Sequence, residues 1–320
     1  MVSIEHQYME IVRNILNYGK FVYNERTKKR CLVMPNLVLR YAEDSVPLLN
    51  SRRTFIKSAF AEIIGYHAGD ISAADFRSRG TKTWDANANE NQAWLNNPFR
   101  TGTDDMGVVY GAIGRCYAES RDTSGMNQEQ YDYLISRGWE YDPYYEDQLT
   151  LYIDQFKEVF NNIKNGIDNR GEIITFWKPT EFDFGCLRPC MHTHQFTLVN
   201  DTLYLTSIQR SCDVPLGLVF NMAQVWCMLK LWCMATGHKF GGALHTISNA
   251  HIYEDQVPAM RELLKRWDKI GHTPSKAKII INPHNKPLEE FIDLCALTAD
   301  DIMVEGYYPN KEPLIIPFSV

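Results

Sequence analysis

The stretch FNMAQVWCMLKLWCMAT at residues 220–236 constrains the fold more than any other part of the chain. It carries one charge, Lys230, among apolar and aromatic side chains. A helix that is apolar on every side needs protein all around it, so this segment predicts a buried central helix with a large core. Pro215 and Gly217 precede it and Gly237 follows it, as start and stop signals do. The run is shorter than the roughly 20 residues of a bilayer span, so a membrane crossing is not expected.

The elements around that helix are mixed. Residues 195–199 and 202–208 are rich in Thr, Val, Leu, Ile and Tyr, and Asn200-Asp201 between them suits a tight reversal, which predicts a β-hairpin. Residues 172–177 read as a further strand. The N-terminal segment and residues 53–66 and 256–267 have helical spacing. No repeat or Gly/Ser-rich linker divides the chain, so a single α+β domain over residues 1–320 is expected. The polar, Asn-rich segment 87–105 reads as a surface loop or insertion.

A net charge of −6 argues against a stable nucleic-acid partner, which requires clustered Lys and Arg, but leaves room for a small anion held by a few arginines. The N-terminus lacks an uninterrupted apolar core and reads as an amphipathic helix rather than an export signal. Eight scattered cysteines without paired spacing suit reduced thiols in a cytoplasmic protein, with no stable membrane partner. No His, Cys and carboxylate grouping has ligand spacing, so no metal is expected.

One cysteine stands in a distinctive setting. Pro189-Cys190 lies between the predicted strand and the hairpin, and Arg210-Ser211-Cys212-Asp213 follows the hairpin, ahead of Leu216-Gly217 and Phe220-Asn221. A thiol becomes reactive when a nearby Arg or His favours its thiolate. The run PC(x19)RSCDVPLGLVFN, with HTISNAHIY at 245–253, resembles the active-site core of the thymidylate synthase family. The likeness extends to Asn24-Glu25-Arg26-Thr27, Ala61-Glu62-Ile63-Ile64, Thr83-Trp84-Asp85, Val109-Tyr110-Gly111, Val304-Glu305-Gly306-Tyr307 and the terminal Val320.

The resemblance implies a thymidylate-synthase-like fold, with a mixed sheet at the dimer interface. It implies attack of a thiolate on carbon 6 of a pyrimidine deoxynucleotide monophosphate, with 5,10-methylenetetrahydrofolate as one-carbon donor. Cys190 matches the nucleophile, Glu62 the general base, Tyr110 the hydroxyl that aids proton removal, and Asp213 the folate contact. Asn221 matches the amide that reads a uracil base, where members acting on cytosine carry Asp. Arg26, Arg210 and Ser211 match phosphate ligands, and His251 and Tyr253 the contacts to the sugar hydroxyl. Trp84, Leu187, Leu216, Gly217, Phe220 and Val320 match positions around the folate. Arg170 matches an arginine that crosses from the partner of a homodimer with shared sites.

The pattern also departs from the family. Met191 follows the nucleophile where a His is usual, Gly171 replaces a second crossing arginine, Ser248-Asn249-Ala250 precedes the sugar-binding His, Phe55 stands where a folate-site His is usual, and the phosphate loop lacks glycines. One admitted water would divert the reaction intermediate to a 5-hydroxymethyl product. These changes around the site lead to the expectation of a deoxyuridylate hydroxymethylase of the phage type. Thymidylate synthase is the alternative, and a deoxycytidylate hydroxymethylase or an inactive nucleotide- or RNA-binding relative is a lesser one.

Overall fold

The computed structural model describes residues 2–318 apart from 26, 143, 146 and 284–286. Its main sheet runs, in spatial order, through Lys20–Asn24, Lys29–Tyr41, Lys239–Tyr253, Thr202–Gln209, Met191–Val199 and Ile173–Thr175, with the short strand Cys212–Asp213 beside the end of Lys239–Tyr253. The sheet is mixed: Lys239–Tyr253 lies antiparallel to Lys29–Tyr41 and parallel to Thr202–Gln209. With helices packed around it, this is an α+β architecture. Two smaller sheets stand apart, one of Tyr117–Asp122, Gln148–Ile153 and Glu140–Tyr141, the other of Lys278–Ile281 and Ile302–Glu305.

The expected hairpin is present as Met191–Val199 and Thr202–Gln209, closed by Asn200 in the left-handed region at φ 54°, a conformation that Asn tolerates better than most residues. The central helix is Gly217–Thr236, ended by Gly237 at φ 76°. It begins three residues earlier than its most apolar stretch, and at that length it could cross a bilayer on composition alone. Most of it is instead buried inside the fold, so burial rather than shortness distinguishes it from a bilayer span. Helices Ile56–Ala68 and Val257–Lys269 are shifted from the expected 53–66 and 256–267, and the strand expected at 172–177 shrinks to Ile173–Thr175. Gly69 at φ 84° ends Ile56–Ala68, two residues beyond the expected limit at Tyr66.

Segment 87–105 is not a plain loop. It contains the last turn of Asp85–Asn89 and the helix Gln92–Leu95, and Trp94 is buried with its indole N–H donating to the Asp105 carbonyl at 2.7 Å. The Asn91 amide donates to the Cys186 carbonyl at 2.9 Å, which ties the segment to the chain just before Cys190.

Three core histidines are held neutral. His67 Nδ1 lies 2.7 Å from the Ile63 carbonyl and its Nε2 lies 2.9 Å from the Trp232 indole nitrogen. A carbonyl only accepts and an indole only donates, so the proton sits on Nδ1. Burial pushes His67 down to about 4 and His194 and His245 to about 3. An unfolded histidine takes up its proton near pH 6.5, so below that value the unfolded state binds more protons and stability falls as pH drops. Buried Glu5, Glu62 and Asp213, whose carboxyls are raised by burial, act in the opposite sense at the acid end of this window. Chemical denaturation is expected to show lower stability at about pH 5 than at about pH 7, with each histidine contributing roughly 1–2 kcal/mol. Equal stability at the two values would contradict the neutral assignment.

Candidate active site

Hairpin register brings Cys190 to Arg210. Met191 pairs with Gln209, so the residues just outside the ladder, Cys190 and Arg210, meet across twenty positions of sequence, and Arg210 N–H donates to the Cys190 carbonyl at 2.8 Å. The guanidinium is anchored by the Pro189 and Arg188 carbonyls, each at 2.9 Å, and brings Nη2 to 3.8 Å from Cys190 Sγ. A fixed cation at that distance favours a thiolate. Cys190 is half-buried, whereas neighbouring Cys186 and Cys212 are buried, with burial raising the first thiol to about 12 and the second well above its ordinary value.

Cys190, Arg210 and Ser211 open onto a cleft of about 780 Å³ that His251 and Tyr253 also line. The last two alternate along the strand Lys239–Tyr253 and so share a face, with their rings edge to face at 5.2 Å. The main chain holds the strand end in place, because Val214 N–H donates to the His251 carbonyl at 2.9 Å. Arg170 stands on an exposed turn at φ 63° and lines neither this cleft nor the cavity beside it. Arg26 and Val320, both expected at the site, lie outside the described residues.

A second cavity, of about 110 Å³, adjoins the cleft at Leu187 and holds Glu62, Tyr66, Trp84, Tyr110 and Asn221. Glu62 comes from Ile56–Ala68 and Tyr110 from the start of Tyr110–Arg115, two helices in contact. The cavity joins Cys190 through Tyr110, whose hydroxyl oxygen accepts from Cys190 N–H at 2.7 Å. Burial raises the Glu62 carboxyl, while the Tyr66 hydroxyl and the nearby polar groups of Thr83 and Trp84 oppose that rise. Burial also puts Tyr110 well above its ordinary value, with the Cys190 side adding to the effect, so its hydroxyl stays protonated. The buried indole N–H of Trp84 stands near the Glu62 and Tyr66 oxygens without completing a hydrogen bond.

A chain of hydrogen bonds orients Asn221. Gln209 Nε2 donates to the Ser211 carbonyl at 2.9 Å, which fixes the direction of its amide, and to Asn221 Oδ1 at 3.0 Å. Gln209 Oε1 therefore accepts from His245 Nε2 at 2.8 Å, leaving His245 Nδ1 to accept from the Tyr41 hydroxyl at 3.2 Å. On its other side Asn221 Nδ2 donates to Gln224 Oε1 at 3.0 Å. The carboxamide is thus held with its donor and acceptor ends assigned.

Asp213, Leu216, Gly217 and Phe220 cluster where the central helix starts, outside both cavities. Asp213 accepts from Leu216 N–H at 3.1 Å and from Gln256 Nε2 at 3.0 Å, and the same Gln256 nitrogen donates to the Pro317 carbonyl at 3.0 Å. One amide therefore ties the C-terminal segment to Asp213. Tyr66, Gln209, Gln224, His245 and Gln256 were not anticipated as site residues. Gln209 had a detectable signal, a carboxamide at the end of the strand Thr202–Gln209, directly beside Arg210. Among the described residues no group of three His, Cys, Asp or Glu is placed to hold a metal.

Comparison with known proteins agrees with this geometry. A family model described as thymidylate synthase matches residues 6–320. Curated relatives include thymidylate synthases of Haemophilus influenzae strain PittEE, 48% identical over 316 residues, Colwellia psychrerythraea, 48% over 315, and Shewanella loihica, 47% over 316. Each alignment covers 98% of this chain and 99% of the relative. Relatives this similar, all named for thymidylate formation, overturn the expected hydroxymethyl product. The site offers a physical reason. Met191, whose substitution suggested water access, is 3% exposed and walls the small cavity with an apolar side chain. Phe55, also cited for that product, lies half-exposed ahead of Ile56–Ala68 and lines neither cavity.

Proposed function

The chain belongs to the thymidylate synthase family, and from that premise we propose that it converts deoxyuridylate to thymidylate as a single catalytic unit. The observation that carries this reading is the apposition of Cys190 and Arg210 at the mouth of a cavity holding Glu62, Tyr110 and Asn221.

Methylenetetrahydrofolate, when bound, supplies the one-carbon unit and then a hydride, leaving as dihydrofolate. The residues present suit it: the buried Trp84 indole offers an aromatic surface in the small cavity, and Leu187 an apolar one where that cavity meets the cleft. Asp213, held in place by Leu216 N–H and Gln256 Nε2, would supply a polar contact to the pterin.

Cys190 Sγ bonds to carbon 6 of the uracil ring, and the displaced π electrons give an enolate nucleophilic at carbon 5. Asn221 donates to the carbonyl that takes this charge and accepts from the ring N–H. Arg210 and Ser211 hold the phosphate, with His251 and Tyr253 at the sugar hydroxyl. After the one-carbon unit joins carbon 5, Tyr110 and Glu62 conduct the proton from that carbon, and the C6–S bond breaks to return Cys190. Free thiols throughout fit a reducing compartment such as the cytoplasm. The test is stoichiometry: each thymidylate formed should be matched by one dihydrofolate, followed by absorbance. Consumption of deoxyuridylate without dihydrofolate would contradict hydride transfer.

The reading extends to a homodimer in which Arg170 reaches the partner's phosphate site. Support comes from Arg170 lining neither the cleft at Cys190 nor the small cavity beside it, and from exposed Val38, Val199 and Tyr204 on the main sheet, which leave apolar surface for a second copy. Mixed Arg170→Ala and Cys190→Ala subunits, each inactive alone, are expected to regain one working site per heterodimer. Activity in a monomer, or no rescue on mixing, would sink the shared-site proposal.

A further inference from the structure

We propose that Tyr66 is a positioning residue that holds Glu62 ionised and aligned with Tyr110; this rests on the thymidylate-forming reading above. Three contacts place it there. Its hydroxyl donates to Glu62 Oε1 at 2.5 Å, one helical turn away on the same face of Ile56–Ala68. Its ring stacks on that of Tyr110 with centroids 4.5 Å apart and planes at 16°. Edge contacts from Trp84 and Phe76, at 6.3 and 5.9 Å, fix the ring from two other sides. The aromatic ring is therefore a rigid spacer between the carboxylate and the tyrosine whose hydroxyl touches the Cys190 backbone.

The hydroxyl has a chemical task as well as a mechanical one. A carboxylate in a buried cavity tends to take up a proton, and a donor to its charged form opposes that tendency. Tyr66 is suited to donate because burial and the neighbouring carboxyl push its own ionisation well above the ordinary phenol value. The titratable groups facing Glu62 are Tyr66 on its own helix and Tyr110 on the neighbouring one. The central helix brings only the neutral amides Asn221 and Gln224 to this cavity.

Tyr66→Phe separates the two tasks, since it keeps the stack and removes the donor. In the variant the acid limb of the kcat against pH profile is expected to move up by about one unit, because the charged form loses a hydrogen bond. On that acid limb kcat should fall by up to about tenfold, with KM for deoxyuridylate changed less than about twofold. An unmoved acid limb with kcat within twofold of wild type would overturn the proposal. A carbon-13 NMR titration of the Glu62 carboxyl, needing no turnover, should show the same upward move. An unmoved titration overturns the role of Tyr66 even if the wild-type enzyme forms thymidylate. A wild-type enzyme that forms none, with the titration moved, indicts the functional reading instead.

Discussion

Cys190→Ser is expected to lower thymidylate formation by at least roughly a thousandfold, because a serine hydroxyl near neutral pH is a far weaker nucleophile than a thiolate. Folding and deoxyuridylate binding should survive. The half-buried site accepts a side chain one atom type smaller, and the Arg210 guanidinium stays anchored by the carbonyls of Arg188 and Pro189 whatever stands at position 190. Serine substitutions at Cys186 and Cys212 are the controls. Both thiols are buried and raised by burial, so neither is poised to react, and their loss should cost far less activity. Retention of more than a few per cent of activity by Cys190→Ser would refute a covalent route through this sulfur.

Asn221→Asp should shift preference from deoxyuridylate towards deoxycytidylate. Uracil presents a carbonyl acceptor and a ring N–H donor, which a carboxamide matches, whereas cytosine presents an exocyclic amine and an unprotonated ring nitrogen. Facing cytosine, the Asn221 NH₂ meets another donor, and a buried donor left unpaired costs roughly 1–3 kcal/mol, or about ten- to hundredfold in discrimination. The surrounding hydrogen bonds add a constraint. Gln209 Nε2 can still donate to a carboxyl oxygen, but Gln224 Oε1 would then face an acceptor and must turn its amide to donate. The variant is expected to lose kcat/KM on deoxyuridylate and gain it on deoxycytidylate. An unchanged ratio would show that Asn221 does not read the base.

The centre of the site was legible in the sequence because it is local to one hairpin. The spacing from Cys190 to Arg210 is the length of two paired strands and their turn, and Asn200 marks that turn. Asn221, Glu62 and Tyr110 were reached through their motifs, and the fold brings them to one cavity. What tertiary contact decides was hidden. Gln209 meets His245 across 36 positions and His245 meets Tyr41 across 204, so no pattern along the chain reveals the relay that orients Asn221. Tyr66 is not marked by any motif, because its role depends on the contact of its hydroxyl with Glu62. Segment 87–105 misled because its asparagines suggested solvent, whereas Asn91 and Asn97 spend their side chains on the carbonyls of Cys186 and Asp183. The product was misjudged for a related reason: Met191 read as a departure that opens the site, yet buried in its strand it closes a wall.

The most direct test of the central claim is the mass of the nucleotide formed when the wild-type enzyme acts on deoxyuridylate with methylenetetrahydrofolate. A gain of one CH₂ unit, absent with Cys190→Ser, is the result this account predicts. A gain of one CH₂O unit, or no new nucleotide at all, would contradict it.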